Sequence, residues 1–218
     1  MAQPNINYQK ELETILANIT AKKQTPSLLL HSCCAPCSSY VLEYLTQYFT
    51  ITVLYYNPNI APREEHEHRK AEQIRLIKEG SWKNPVTIQD TDWDHPAFAS
   101  IAKGMEELPE GGARCLKCYE LRLRAAARAA KEGNYDYFTS TLSISPLKNA
   151  QALNKIGFRL SEEYHTAYLP ADFKKRGGYQ RSIELSRQYN LYRQDYCGCI
   201  YSKRDRILQK REQQASLS

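Results

Sequence analysis

Seven cysteines fall in three short groups, Cys33-Cys34-Ala35-Pro36-Cys37, Cys115-Leu116-Lys117-Cys118 and Cys197-Gly198-Cys199, and none lies outside them. Thiols used only as small core hydrophobes scatter along strands and helices. Thiols that hold a metal come in short-spaced pairs, because two sulfurs from one turn can reach the same ion. Seven sulfurs exceed what one four-coordinate zinc uses. The surplus points to an iron–sulfur cluster, with room for a second metal beside it. A thioredoxin-like dithiol needs one pair only. Cys34 and Cys37, like Cys115 and Cys118, stand one helical turn apart where helices are predicted to start, and free N–H groups there favour the thiolate that ligates metal. Gly198 permits a tight turn between its two cysteines. Soft thiolates suit zinc as well as iron, so a zinc-stapled module stays open at this point.

The five histidines carry less information. His66 and His68 fall in a charged helix and are expected to be solvated; His95 precedes Pro96 and reads as a turn residue; His165 has no evident place. His31, beside the first cysteines, is the one candidate for handling a proton, and a hydrogen-bonded histidine at a strand end is the plain alternative. No GxGxxG or GxxxxGK[ST] loop occurs. The loop after the first predicted strand, where related α/β nucleotide-binding folds would carry Ser-Gly-Gly, reads HSCCAPC, so a metal site stands in place of a nucleotide site and ATP is not expected.

These residues need elements to position them. Residues 8–22 predict an amphipathic helix, with Leu12, Ile15, Leu16 and Ile19 on one face. Ser27–His31 reads as a buried strand and Ser38–Tyr48 as the helix that follows it. Thr50–Tyr56 is a second strand, stopped by Asn57-Pro58-Asn59. Glu64–Gly80 is a charged helix, Pro85–Gln89 a weaker third strand, and 90–112 a lid-like helical insertion. Cys115–Glu132 is a helix, Tyr137–Leu142 a fourth strand and Asn149–Phe158 a helix, followed by Tyr164–Leu169 and the basic segment 171–218. The alternation predicts one α/β domain spanning 1–218, a mostly parallel sheet with helices on both faces. Ligands in such sheets bind beyond the carboxyl ends of the strands. His31-Ser32-Cys33, Asn57-Pro58-Asn59 and Ser143-Ile144-Ser145 should therefore line one rim.

The net charge of +6 is concentrated at one end. Residues 171–218 hold 11 Lys and Arg against 5 Asp and Glu, whereas the first 170 residues hold 19 of each. The cations Lys174, Lys175, Arg176 and Arg181 alternate with Phe173, Tyr179 and further tyrosines, a composition suited to phosphates and bases of RNA, although a solvated face explains a basic run equally well. Met1–Lys10 has no apolar leader and no apolar run reaches membrane-spanning length. With an odd cysteine count in CxxC and CxC spacings, a reducing cytoplasm is expected.

Six ordered motifs, HSCCAPC, YYNPNIAPREEHEHR, CLKCYELRL, YFTSTLSISPLKN, DFKKRGGYQRS and YRQDYCGCIYS, give the chain from about His31 to Ser202 a close resemblance to the cobalamin-independent epoxyqueuosine reductases of the QueH family. The resemblance implies reduction of epoxyqueuosine to queuosine at the wobble position of tRNA, the last step of queuosine synthesis, by a 4Fe–4S enzyme on a Rossmann-like, nucleotide-hydrolase (HUP-type) scaffold without its nucleotide loop. It carries over cluster-related cysteines to Cys33, Cys34, Cys115, Cys118, Cys197 and Cys199. Some members have aspartate at the position of Cys37, which makes that thiol the candidate ligand of a separate mononuclear iron. Deoxygenating an epoxide needs two electrons and two protons, hence an external ferredoxin- or flavodoxin-type donor and a proton donor, for which His31, Tyr56 and Tyr179 are candidates. Adjacent cysteines do not readily chelate one metal. The expected division therefore puts Cys115, Cys118, one of Cys197 and Cys199 and one of Cys33 and Cys34 on the cluster, with Cys37 and the remaining members on the iron. A tRNA sulfur transferase on the same scaffold and a zinc-stapled RNA-binding module are the rival readings.

Overall fold

The structure, a computed structural model, describes residues 6–215. The first five and last three residues, which fall within the N-terminal and basic segments considered above, lie outside the described residues. Asn7 opens α1 (Tyr8–Ala21) by accepting the Lys10 amide on its side chain at 3.2 Å, and α1 lays Leu12, Leu16 and Ile19 against the sheet. The strands are β1 (Ser27–His31), β2 (Thr50–Tyr55), β3 (Val86–Asp90), β4 (Tyr137–Ser140) and β5 (Ala167–Tyr168). They form one sheet in the order β3-β2-β1-β4-β5, and every pairing is parallel. The helices between them are α2 (Ala35–Leu45), α3 (Arg63–Glu79), α4 (His95–Ala102), α5 (Ala113–Glu132), α6 (Ala150–Tyr164), α7 (Gly178–Gln188) and α8 (Ile200–Ala215).

Both faces of the sheet are covered, as expected for an all-parallel sheet. Side chains alternate across a strand, so β1 sends Leu28 and Leu30 to a core shared with α1, α2 and Phe173, and Leu29 to a second core shared with α5 and α6. All three leucines are fully buried, each contributing about 1.5–3 kcal/mol by leaving water. The chain runs outward from β1 through β2 to β3, then returns to place β4 on the other side of β1. That reversal is a topological switch point, and the crevice beyond the carboxyl ends of β1 and β4 is where such a sheet binds ligands.

Several expectations shift. The fourth strand stops at Ser140, because the Ser140 hydroxyl accepts the Leu142 amide at 3.2 Å and caps a short 3-10 turn, Thr141–Ile144. Thr141 and Leu142 therefore leave the sheet. β5 pairs only two residues with β4. The predicted insertion contains one helix, α4, with Asp94 as its cap, and His95 is the first residue of that helix. His66 is not solvated: it is 1% exposed, its ring 5.1 Å from that of Tyr55, because it lies with Arg69, Gln73 and Leu76 on the buried face of α3. His68 is exposed and stacked on Tyr192, and His165 ends α6 in the left-handed conformation.

Candidate metal centre

Each cysteine group sits where a helix begins. Cys34 is the extended residue before α2, with Pro36 in the first turn. Cys115 lies in the first turn of α5, its sulfur accepting the Gly111 amide at 3.3 Å, and Cys118 follows one turn later. Cys199 directly precedes α8 and its sulfur accepts the Ser202 amide at 3.4 Å. Three helix N-termini, each with unpaired N–H groups and partial positive charge, thus converge on seven thiols.

The thiols divide into two sets. Cys33 and Cys34 hold their sulfurs 3.7 Å apart, and with Cys37 all three lie within 4.8 Å of one another. A four-coordinate thiolate ion with bonds of about 2.3 Å spaces its sulfurs by about 3.8 Å, so this trio has the dimensions of a site for a single ion. The expected division put Cys33 and Cys34 on different centres; here their sulfurs lie together with that of Cys37. The chain bends from extended to helical at Cys34, and this bend turns neighbouring sulfurs to the same side. The loop is held in place: the Ser32 and Ser38 hydroxyls each donate to Gln73 Oε1 at 2.8 Å, and Asn57 Nδ2 donates to the Ser32 carbonyl at 2.8 Å. Hydrogen bonding from Cys33 and then Cys37 holds the Cys34 thiol well below its usual range, while hydrogen bonding with Cys33 and Cys34 pushes Cys37 well up.

Cys115, Cys118, Cys197 and Cys199 line one pocket together with Arg122, Lys148 and Asn59. Among the described residues these four thiols do not form a group within single-ion spacing. Burial pushes Cys118 up to about 12. Gly198 has φ +119°, and a side-chain carbon there would stand 2.9 Å from Ile60 Cγ1 and 3.0 Å from Arg69 Nη1, so the CxC turn requires glycine.

Four buried cations, Arg69, Arg114, Arg122 and Lys148, surround the thiols. Arg69 donates to Glu65 and to the Cys197 carbonyl, and Lys148 donates to Glu110 Oε1 at 2.7 Å and to Cys197 Sγ at 3.2 Å. Arg122 is 1% exposed, and none of its three side-chain nitrogens has a hydrogen-bond partner among the described residues. Burial works against its charge, yet Cys118, Cys197 and Cys33 hold it above its ordinary value. A buried guanidinium with idle donors is costly unless an anion meets it. The pocket thus fits a negatively charged metal–thiolate group. Sequence reading did not single out these cations; the available signal was that Arg122 follows Cys118 by four residues, on the same face of α5.

A family model described as epoxyqueuosine reductase QueH matches residues 28–205. The chain belongs to the QueH family of epoxyqueuosine reductases. It is 43% identical over 206 residues to epoxyqueuosine reductase QueH of Staphylococcus epidermidis, covering 93% of this chain and 87% of that protein. For the QueH of Streptococcus pyogenes serotype M1 the identity is 43% over 199 residues, with 90% and 78% covered. The Thermotoga maritima QueH is 31% identical over 195 residues, with 88% and 96% covered.

The other residues singled out in this QueH chain are placed as follows. His31 is fully buried; its Nε2 lies 3.1 Å from the Tyr56 carbonyl, which only accepts, so Nε2 carries the proton and Nδ1 accepts from the Ser140 hydroxyl at 2.8 Å. Burial lowers this histidine to about 4, so the ring is neutral at pH 7 and both nitrogens are engaged with the protein. Tyr56 packs beside the core that contains Cys33 and Cys34, and its hydroxyl donates to Asp94 at 3.3 Å. Tyr179 stands exposed on α7, and the described contacts bring it to neither thiol set. Of the basic residues, Lys174 pairs with Asp172, Arg176 with Glu13 and Arg181 with Glu43 and Glu184, while Lys175 is exposed. Among the described residues no helix is long and apolar enough to cross a membrane.

Proposed function

We propose that the chain reduces the epoxide of epoxyqueuosine in tRNA to the alkene, consuming two electrons and two protons and releasing the oxygen as water, in the cytoplasm where tRNA is modified. The observation that carries this reading is the pair of thiol sets at the β1–β4 switch point with the orphaned Arg122 guanidinium beside both. Cys115, Cys118, Cys197 and Cys199 would hold a 4Fe–4S cluster, and Cys33, Cys34 and Cys37 a mononuclear iron. When bound, the cluster supplies electrons one at a time and the iron polarises the epoxide oxygen as a Lewis acid. Arg122 and Lys148 offset the negative charge of these groups. His31, with both nitrogens committed, positions the rim by tying β1 to β2 and β4. Tyr56, pushed up to about 12 by burial and by Asp94, keeps its proton at neutral pH and is the hydroxyl nearest in role to a proton donor. A ferredoxin- or flavodoxin-type carrier restores the electrons.

Anaerobically reconstituted, reduced protein is expected to convert epoxyqueuosine to queuosine in tRNA without added cobalamin or ATP, read by nucleoside mass spectrometry. An unchanged epoxide with fully loaded, reducible protein would sink this reading, and stoichiometric zinc with no labile sulfide would favour the zinc-stapled module. In the same assay Tyr56→Phe should turn over more slowly; full activity would remove Tyr56 from proton delivery.

The basic run supplies part of the tRNA contact. Arg176 has 71% of its side chain exposed, and water and salt screen so exposed an ion pair, so the pairing with Glu13 does not prevent exchange for a phosphate. Replacing Lys174, Lys175 and Arg176 by alanine is expected to weaken tRNA binding and flatten its salt dependence by roughly one unit of slope per lost phosphate contact. Metal content should stay as in the parent. Unchanged affinity and slope would make this run a solvated face.

A further inference from the structure

We infer that a groove between α8 and the Ala61–Pro62 turn is the docking surface for an acidic electron-carrier protein. Its floor is Ile200, Ile207 and Leu208, exposed to 48%, 43% and 48% and spaced along one side of α8. Its rim is Lys203, Arg204 and Arg211, and no carboxylate lines it. Arg204 is held in place by Glu107 at 2.8 Å and by the Glu106 carbonyl, while Lys203 leans toward the Tyr196 ring. An apolar centre inside a cationic rim is the form of a protein interface in which apolar contact supplies affinity and charge supplies orientation and on-rate.

The groove adjoins the loop that carries Cys197 and Cys199. The Ala61 amide, on its wall, donates to the Gly198 carbonyl at 3.1 Å, and Gly198 sits between Cys197 and Cys199. Ile200, on its floor, directly follows Cys199. One turn of chain therefore separates the surface from two of the four thiols. This inference rests on the reductase reading, which consumes two electrons per epoxide and so requires a separate donor to dock between turnovers. The donor is identified by chemistry as a one-electron carrier with an acidic face, which leaves oxidised after each transfer. RNA fits less well: the floor is aliphatic, with no ring on which a base could stack.

The test uses the full-length, metal-loaded protein and an acidic 2Fe–2S ferredoxin. Calorimetric titration should show binding that weakens with salt, and Lys203→Glu with Arg211→Glu should abolish it. In stopped-flow, the double variant should accept electrons from reduced ferredoxin about tenfold more slowly or worse at low salt. Its reduction by dithionite, its metal content and its tRNA affinity should match the parent. Absence of ferredoxin binding, or binding and transfer unaltered in the variant, overturns the proposal. Lost tRNA affinity with normal ferredoxin transfer assigns the groove to RNA, and a parent dimer that the variant disperses assigns it to a second copy; either result also overturns it. Failure of dithionite to reduce the parent protein counts against the reductase reading, while the calorimetric arm still decides the docking surface.

Discussion

Cys118→Ser is expected to remove essentially all acid-labile sulfide from the reconstituted protein, from about four per chain to near zero, the content of one 4Fe–4S cluster. Cys118 is 6% exposed and shares its pocket with Cys115, Cys197 and Cys199. A hydroxyl in its place is a poor ligand for iron and leaves three thiols to hold the cluster. Cys37→Ala should behave differently. It belongs to the trio spaced for one ion, so about one iron per chain should be lost while sulfide stays. Cys37→Asp should keep both, since a carboxylate oxygen serves iron well as a lone ligand. Iron and sulfide counts on the three variants check this directly. Sulfide loss in either Cys37 variant would join the trio to the cluster and refute the division.

Arg122→Met should have opposite effects on the empty and the loaded protein. Without metal, Arg122 is a buried cation whose three nitrogens find no partner among the described residues, and the Cys118 thiol beside it is protonated at neutral pH. Replacing it with an apolar side chain of similar length removes that cost, so the metal-free melting temperature should rise. With metal, the guanidinium faces negative charge, and its loss leaves that charge buried and unbalanced at a cost of about 3–5 kcal/mol. Cluster retention against a chelator should then fall by two orders of magnitude or more. Arg122→Lys should recover part of the loss. Melting curves and chelation rates, measured on both forms, decide it. A variant destabilised equally with and without metal would mean that Arg122 only fills space.

Much of the scaffold could be read from residue types. The apolar runs of β1 and β2 and the alternation of strands with helices pointed to a parallel sheet with a working rim, and the cysteine spacings pointed to metal. What escaped notice depended on partners distant in sequence. β5 is two residues long and exists only because β4 offers an edge, as when the Leu169 amide finds the Phe138 carbonyl. α7 and α8 are polar helices whose local pattern says little, and α8 buries only Ser202. His66 lies in a charged segment, and its burial follows from where Tyr55 and Trp93 stand. The close approach of the Cys33, Cys34 and Cys37 sulfurs depends on a single bend at Cys34, which spacing rules cannot supply.

The convergence of three helix starts also orders events in time. More than seventy residues separate Cys37 from Cys115, and a similar length separates Cys118 from Cys197. Closing such long loops is costly before the intervening strands and helices exist to bridge them. The nascent chain can therefore assemble only the Cys33, Cys34 and Cys37 trio locally, and the four-thiol set is complete only once Cys197 and Cys199 have been synthesised and packed beside the start of α5. Loading of that four-thiol set is expected to be a late step that tests a finished sheet and staples the end of the chain to the middle. The loaded protein should thus be protected from proteolysis at α8, while the empty one frays from its C-terminal helix inward.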